Sequence, residues 1–153
     1  MKLFLRVLSV IVFSVIFGTE LFAATADEIK QNIINQAKAM DVEPAIVLSI
    51  AKTESGFNQN AKSSGGHIGV FQLSRKTAEQ MGLDPYNLDD NIKGGITYYK
   101  QMYDIFDSAE LAVAAYNVGP EAVKRCNNTV PKHSQAFVSK IMSDYRNYKN
   151  SGI

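Results

Sequence analysis

One carboxyl group in this sequence stands where proton transfer is chemically reasonable. Val47, Ile50, Ala51 and Glu54 fall at helical spacing i, i+3, i+4 and i+7, on one face, with Ser49, Lys52 and Thr53 on the others. Glu54 is thus the last member of an apolar stripe, at the border of shielded and open surface. Partial desolvation there disfavours the charged form and raises the pKa. An acid that keeps its proton near neutrality can deliver it to a leaving oxygen. The same stripe also fits a solvent-facing glutamate paired with Lys or Arg. The segment after Glu54 narrows the chemistry: from Ser55 to Ala78 there is no Asp or Glu. Glycoside hydrolysis by paired carboxylates needs a second acid across the cleft. Asp84, Asp89 and Asp90 come later and suit a turn and a helix start. The pattern points to one protein carboxylate with a nucleophile from elsewhere. Cys126, His67 and His133 have no metal-site spacing, and no cofactor is implied.

The elements that must position Glu54 read almost entirely as helix. Asp27 to Met40 carries Ile29, Ile33, Ile34 and Ala37 as a stripe. Pro44 suits a first turn, and Ala45 to Thr53 continues from it. Ser74 caps a short helix closed by Gly82. Asp89 or Asp90 starts a longer one through Ile92, Ile96, Tyr99, Tyr103 and Phe106. Ser108 caps Ala109 to Asn117, Gly119 stops that helix, and Pro120 opens a short turn to about Cys126. Ser134 begins the last helix and is placed to cap it, with Phe137, Ile141 and Tyr145 on one face. Strand signals are weak. The one long irregular stretch, Gly56 to Leu73, is rich in Gly, Ser and Asn, and a loop of that length in a compact helical domain is usually functional. Gly69 within it serves a positive φ or a close backbone approach. The expected fold is mainly α, with a loop-rich wall beside a cleft.

The chain of 153 residues has room for one domain, placed at 27–149 with a tail at 150–153. Residues 1–26 have the three-part layout of a secretory signal. Lys2 and Arg6 precede an apolar run from Val7 to Gly18, and Ala23-Ala24-Thr25-Ala26 offers cleavage after Ala26 or, second, Ala23. Retention as a membrane anchor is the alternative, although the run is short of the roughly 20 residues a span needs. Without Lys2, Arg6 and Glu20, the chain's 16 basic and 15 acidic residues become 14 and 14. That neutrality argues against nucleic acid as partner, which favours a basic surface. A single cysteine forms no internal disulfide, and Cys126 is expected as a half-buried small residue.

Four strings in order identify a resemblance. Glu54-Ser55-Gly56-Phe57-Asn58 resembles the E-S-x-x-N motif of the soluble lytic transglycosylase (SLT-type) domain, and Gly69-Val70-Phe71-Gln72 resembles its G-L-M-Q. Ala115-Tyr116-Asn117-Val118-Gly119 resembles its A-Y-N-x-G. Val130-Pro131, Ser134 and Phe137-Val138 are similar to its closing segment, although His133 stands where an acid is usual. The resemblance covers about residues 28–148. It implies a lysozyme-like helical fold and cleavage of the MurNAc–GlcNAc β-1,4 bond of peptidoglycan without water, closing a 1,6-anhydro ring on MurNAc. Glu54 matches the catalytic acid/base. Ser63 matches a serine near the substrate N-acetyl group, and Gln72 a glutamine that bonds sugar or orients the glutamate. Phe71 takes the place of an apolar floor under a sugar, or else packs in the core. Tyr116 matches a tyrosine whose hydroxyl points at the glutamate, and Asn117 is a substrate contact or a helix cap. Tyr98, Tyr99, Tyr103, Tyr145 and Tyr148 read as helix core and surface.

The implied partners are glycan strands in the periplasm or cell wall. By analogy of size with small exported transglycosylases, an envelope-spanning secretion, conjugation or pilus machine is a further partner. Two other readings stand beside this one: a hydrolytic lysozyme of the same fold, and a non-catalytic glycan-binding module.

Overall fold

Helix α1, Ala26–Ala39, starts at a two-way cap: the Thr25 hydroxyl accepts from the Glu28 amide, and the Glu28 carboxylate accepts from the Thr25 amide. This computed structural model describes residues 24–153, so the proposed export segment lies almost wholly outside the described residues. Pro44 opens α2, Pro44–Ser55. Two strands of two residues each, β1 (His67–Ile68) and β2 (Leu73–Ser74), pair antiparallel, and Lys62 bridges to Ile68. Such strands are too short to leave an alternating pattern in the sequence. The chain continues through α3 (Arg75–Gln80), α4 (Leu88–Phe106), α5 (Ala109–Val118), α6 (Pro120–Arg125), a 3-10 turn (Lys132–Ser134) and α7 (Gln135–Asn150). The mainly α expectation agrees with this architecture.

The caps differ from expectation in two places. Asn87, not Asp89 or Asp90, caps α4, and the two acids fill its first turn, where the helix dipole favours negative charge. Ser134 makes no capping bond to α7; its hydroxyl donates instead to Asn117 Oδ1 at 3.0 Å. Cys126 is exposed rather than half-buried, because it comes after the last turn of α6 at the surface.

Helix α2 is central. Every residue from Ala45 to Ala51 is buried, so its apolar surface is wider than one stripe, and α1, α4 and α7 pack around it. Ser49 is inside as well, its hydroxyl satisfied by the Ala45 carbonyl at 2.7 Å. After Ala51 the helix emerges from the core, and Glu54 sits at that end. Gly56 terminates it in the left-handed region, at φ 62°, and sends the chain into the loop wall.

Candidate active site

The loop after Glu54 is held by two side-chain amides in addition to its short strand pair. Asn91 of α4 is wholly buried. Its Oδ1 accepts from the Phe71 amide at 2.9 Å, and its Nδ2 donates to the carbonyls of Ile68 and Pro85 at 2.8 and 2.9 Å. Gln59 Nε2 donates to the carbonyls of Pro85 and Tyr86, and Gln59 Oε1 accepts from the Val70 amide. Gly69 lies between these amides at φ 78°, and a Cβ there would come within 2.4 Å of Asn91 Nδ2. Both reasons expected for this glycine therefore apply. Ser55 closes the start of the loop by donating to the Val70 carbonyl at 2.8 Å.

The result is a cleft of about 350 Å³ lined by Glu54, Ser63, His67, Gln72, Leu73, Ser74, Thr77, Tyr98, Tyr116, Asn117 and Gly119. Glu54 is the only acid among these lining residues. Its carboxyl has no hydrogen-bond or ion-pair partner among the described residues, so the alternative of a Lys- or Arg-paired surface glutamate is excluded. Neighbouring Lys52 turns to Asp144 at 2.7 Å. Burial alone pushes the Glu54 carboxyl up to about 7. Tyr116 is driven well above the ordinary tyrosine range, first by burial, then by the negative field of Glu54 and by Tyr98. It remains a neutral donor beside the acid.

Five of the six sequence-derived site residues meet in this cleft: Glu54, Ser63, Gln72, Tyr116 and Asn117. Phe71 does not. It is fully buried, and its ring fills the notch left by Gly95 of α4, where an added Cβ would stand 2.1 Å from the ring. It is core, not a floor under a sugar. The Tyr116 hydroxyl does not reach for Glu54 either: it donates to the Phe71 carbonyl at 2.8 Å. Gln72 spends its NH2 on the carbonyls of Ala61 and Gly69, at 3.2 and 2.9 Å, which stiffens the loop and leaves Oε1 for the cleft. Ser63 Oγ accepts from the His67 amide and lies 3.2 Å from His67 Nδ1. Asn117 accepts from Ser134 at Oδ1, while its NH2 has no partner among the described residues.

His67 and Tyr98 were missed as lining residues. Tyr98 lies one turn beyond Gly94, over which Leu73 crosses, so the pair Gly94–Gly95 was the available signal for the face of α4 turned to the loop. The Tyr98 ring leans on Tyr116, with centroids 5.2 Å apart at 59°. His67 carried no such signal, since its place depends on the pairing with Ser74.

The family model of the transglycosylase SLT domain matches residues 31–138. The chain belongs to this family. A membrane-bound lytic murein transglycosylase F of Desulfosudis oleivorans is 34% identical over 82 residues, covering 48% of this chain and 18% of that protein. A transglycosylase of the Enterobacteria phage PRD1 is 30% identical over 80 residues, covering 52% of this chain and 30% of that protein. The match therefore spans under a third of the length of either relative. Two solved structures share the fold. One is an inactive mutant of the lytic transglycosylase Slt of Pseudomonas aeruginosa, with TM-score 0.70 and 23% identity over 80% of this chain and 24% of that one. The other is the 70 kDa soluble lytic transglycosylase of Escherichia coli, with TM-score 0.68 and 21% identity over 78% of this chain and 24% of that one. The SLT-domain chain thus has the lysozyme-like fold expected of it. Among its described residues, no helix is long and apolar enough to cross a membrane.

Proposed function

We propose that the chain is a peptidoglycan lytic transglycosylase in which Glu54 is the one acid/base. The observation that carries this reading is an unpaired, desolvated carboxyl, pushed up to about 7, as the sole acid lining a polar cleft. Protonated Glu54 gives its proton to the glycosidic oxygen as the C1–O bond of MurNAc breaks. The resulting carboxylate takes the proton of the sugar's C6 hydroxyl, whose oxygen bonds to C1. The 1,6-anhydro ring closes and Glu54 is again protonated. No second carboxylate is needed, in keeping with the acid-free stretch after Glu54. Ser63, the Oε1 of Gln72 and the NH2 of Asn117 supply hydrogen bonds to sugar. Tyr116 acts from behind, fixing the wall.

Digestion of purified sacculi, with products identified by mass spectrometry, tests this. Anhydro-muropeptides that vanish with Glu54→Gln are the expected result. Reducing ends would mean hydrolysis, and an inactive wild-type protein would mean a glycan-binding module. Export to the periplasm or wall is part of the same proposal, supported by the signal-like residues 1–26 and the murein substrate in the relatives' names.

A further inference from the structure

Lys62 of the loop wall and Arg75 and Lys76 at the start of α3 lie in a stretch, Ser55 to Ala78, that holds no acid. Two of these cations converge on one exposed aromatic ring. Lys62 Nζ stands 5.1 Å from the Tyr86 ring centroid, and the Arg75 guanidinium 5.7 Å from it. Arg75 also donates to the Tyr86 hydroxyl at 2.6 Å. The Tyr86 backbone is fixed beneath them: its carbonyl accepts from Gln59, and its amide donates to Asp84. Neither Lys62 nor Arg75 has an acidic partner within 4 Å among the described residues, as is true of every basic residue there except Lys30, Lys52, Lys124 and Lys149; what sets this pair apart is the shared ring. Lys62, Arg75 and Tyr86 do not themselves line the cleft, but Lys62 precedes Ser63 and Arg75 follows Ser74 in the chain, and both serines line it.

An aromatic platform that gathers two cations without an ion-pair partner, held on a braced turn, fits an anion attached to a larger ligand. We infer that Lys62, Arg75 and Tyr86 form a docking site for a free carboxylate of the peptide stem carried by the glycan strand. This rests on the transglycosylase reading, since it is the glycan in the cleft that brings the stem to the wall. Arg75 supplies the forked donor, Lys62 the second charge, and Tyr86 keeps both side chains in place.

The test compares cleavage of soluble glycan strands that keep their stems with strands stripped of them by an amidase. The proteins are the full chain, the Lys62→Gln/Arg75→Gln variant, and a Lys132→Gln/Lys140→Gln variant that removes two exposed charges elsewhere. On stem-bearing strands the first variant should raise KM about tenfold at low salt, with kcat held. The difference should shrink as salt is added. On stripped strands wild type and variant should converge, and the Lys132/Lys140 variant should track wild type on both. Arg75→Lys should fall between, keeping charge but losing the fork. An unchanged KM on stem-bearing strands overturns the site, as does an equal loss on stripped strands or an equal loss in the Lys132/Lys140 variant. In those cases the transglycosylase reading survives. If wild type cleaves neither strand, that reading falls and takes the docking site with it.

Discussion

The Tyr116 hydroxyl donates to the main-chain carbonyl of Phe71 at 2.8 Å, joining the end of α5 to the loop wall across the back of the cleft. The bond is buried, and Phe71 is also gripped at its amide by Asn91. One residue of the loop is thereby clamped from two helices. Tyr116→Phe leaves a buried carbonyl without its donor and should cost about 1–2 kcal/mol in urea unfolding. The ring stays packed on Tyr98, so the loss belongs to the hydroxyl alone. Since Tyr116 positions the wall rather than carrying the proton, kcat should fall while the pH at which activity declines stays where it is. A shift in that pH would instead mean that the hydroxyl acts directly on Glu54.

Gly95 makes room for the Phe71 ring. An alanine Cβ there would stand 2.1 Å from the ring carbon Cγ, far inside contact distance. Helix propensity favours alanine by about 1 kcal/mol, but overpacking a full core costs about 1–3 kcal/mol. Gly95→Ala should therefore be net destabilising despite its helical site. Adding Phe71→Leu should recover part of the loss, and a double-mutant cycle in urea measures it. Additive effects would show that ring and glycine do not meet.

The helical frame was legible because its periodicity and caps are local: the apolar spacing of α1, α4 and α7 and the capping residues Ser74 and Ser108 lie within a few residues of what they fix. The cleft residues were legible through motif order. What stayed hidden was where long-range hydrogen bonds go. Phe71 directly precedes cleft-lining Gln72 and, like Val70 before it, is fully buried, so a step of one residue along the loop decides whether a side chain meets cleft or core. Asn91 gave no signal at all, as a single polar residue in an amphipathic helix reads as solvent-facing until the loop carbonyls arrive to satisfy it. The Ser134 hydroxyl likewise left its expected cap for Asn117, 17 residues away.

Where an export segment would be cut bears on the cap of α1. A chain beginning at Asp27, after cleavage at Ala26, lacks Thr25 and puts a new ammonium at a helix N-terminus, against the dipole. A chain beginning at Ala24 keeps the Thr25 hydroxyl on the Glu28 amide at 3.2 Å. The 24–153 protein should be more stable than 27–153 by about 1 kcal/mol, the worth of a side-chain cap. Thermal and urea unfolding of the two forms, side by side, measure the worth of the cap. Equal thermal midpoints for the two forms would remove the argument.

Glu54 makes the site weaken the fold that holds it. Its carboxyl titrates at about 7 in the folded protein against an ordinary value of 4.5, with burial as the cause. Below about pH 4.5 the group is protonated in both states and costs nothing. As pH rises toward 7 the unfolded chain releases the proton first, so it binds fewer protons and stability falls. Above 7 the buried charge costs the folded state about 3 kcal/mol. Glu54→Gln keeps the shape without the charge. It should match wild type in urea unfolding near pH 4 and exceed it by up to about 3 kcal/mol at pH 8, while losing about a thousandfold or more in turnover. Wild-type kcat/KM should decline on the alkaline side with an apparent pKa near 7, as the donor loses its proton. A wild-type stability that rises between pH 5 and 8 by more than the variant's would mean that the carboxylate is the favoured form, and an acid of that kind could not start the reaction.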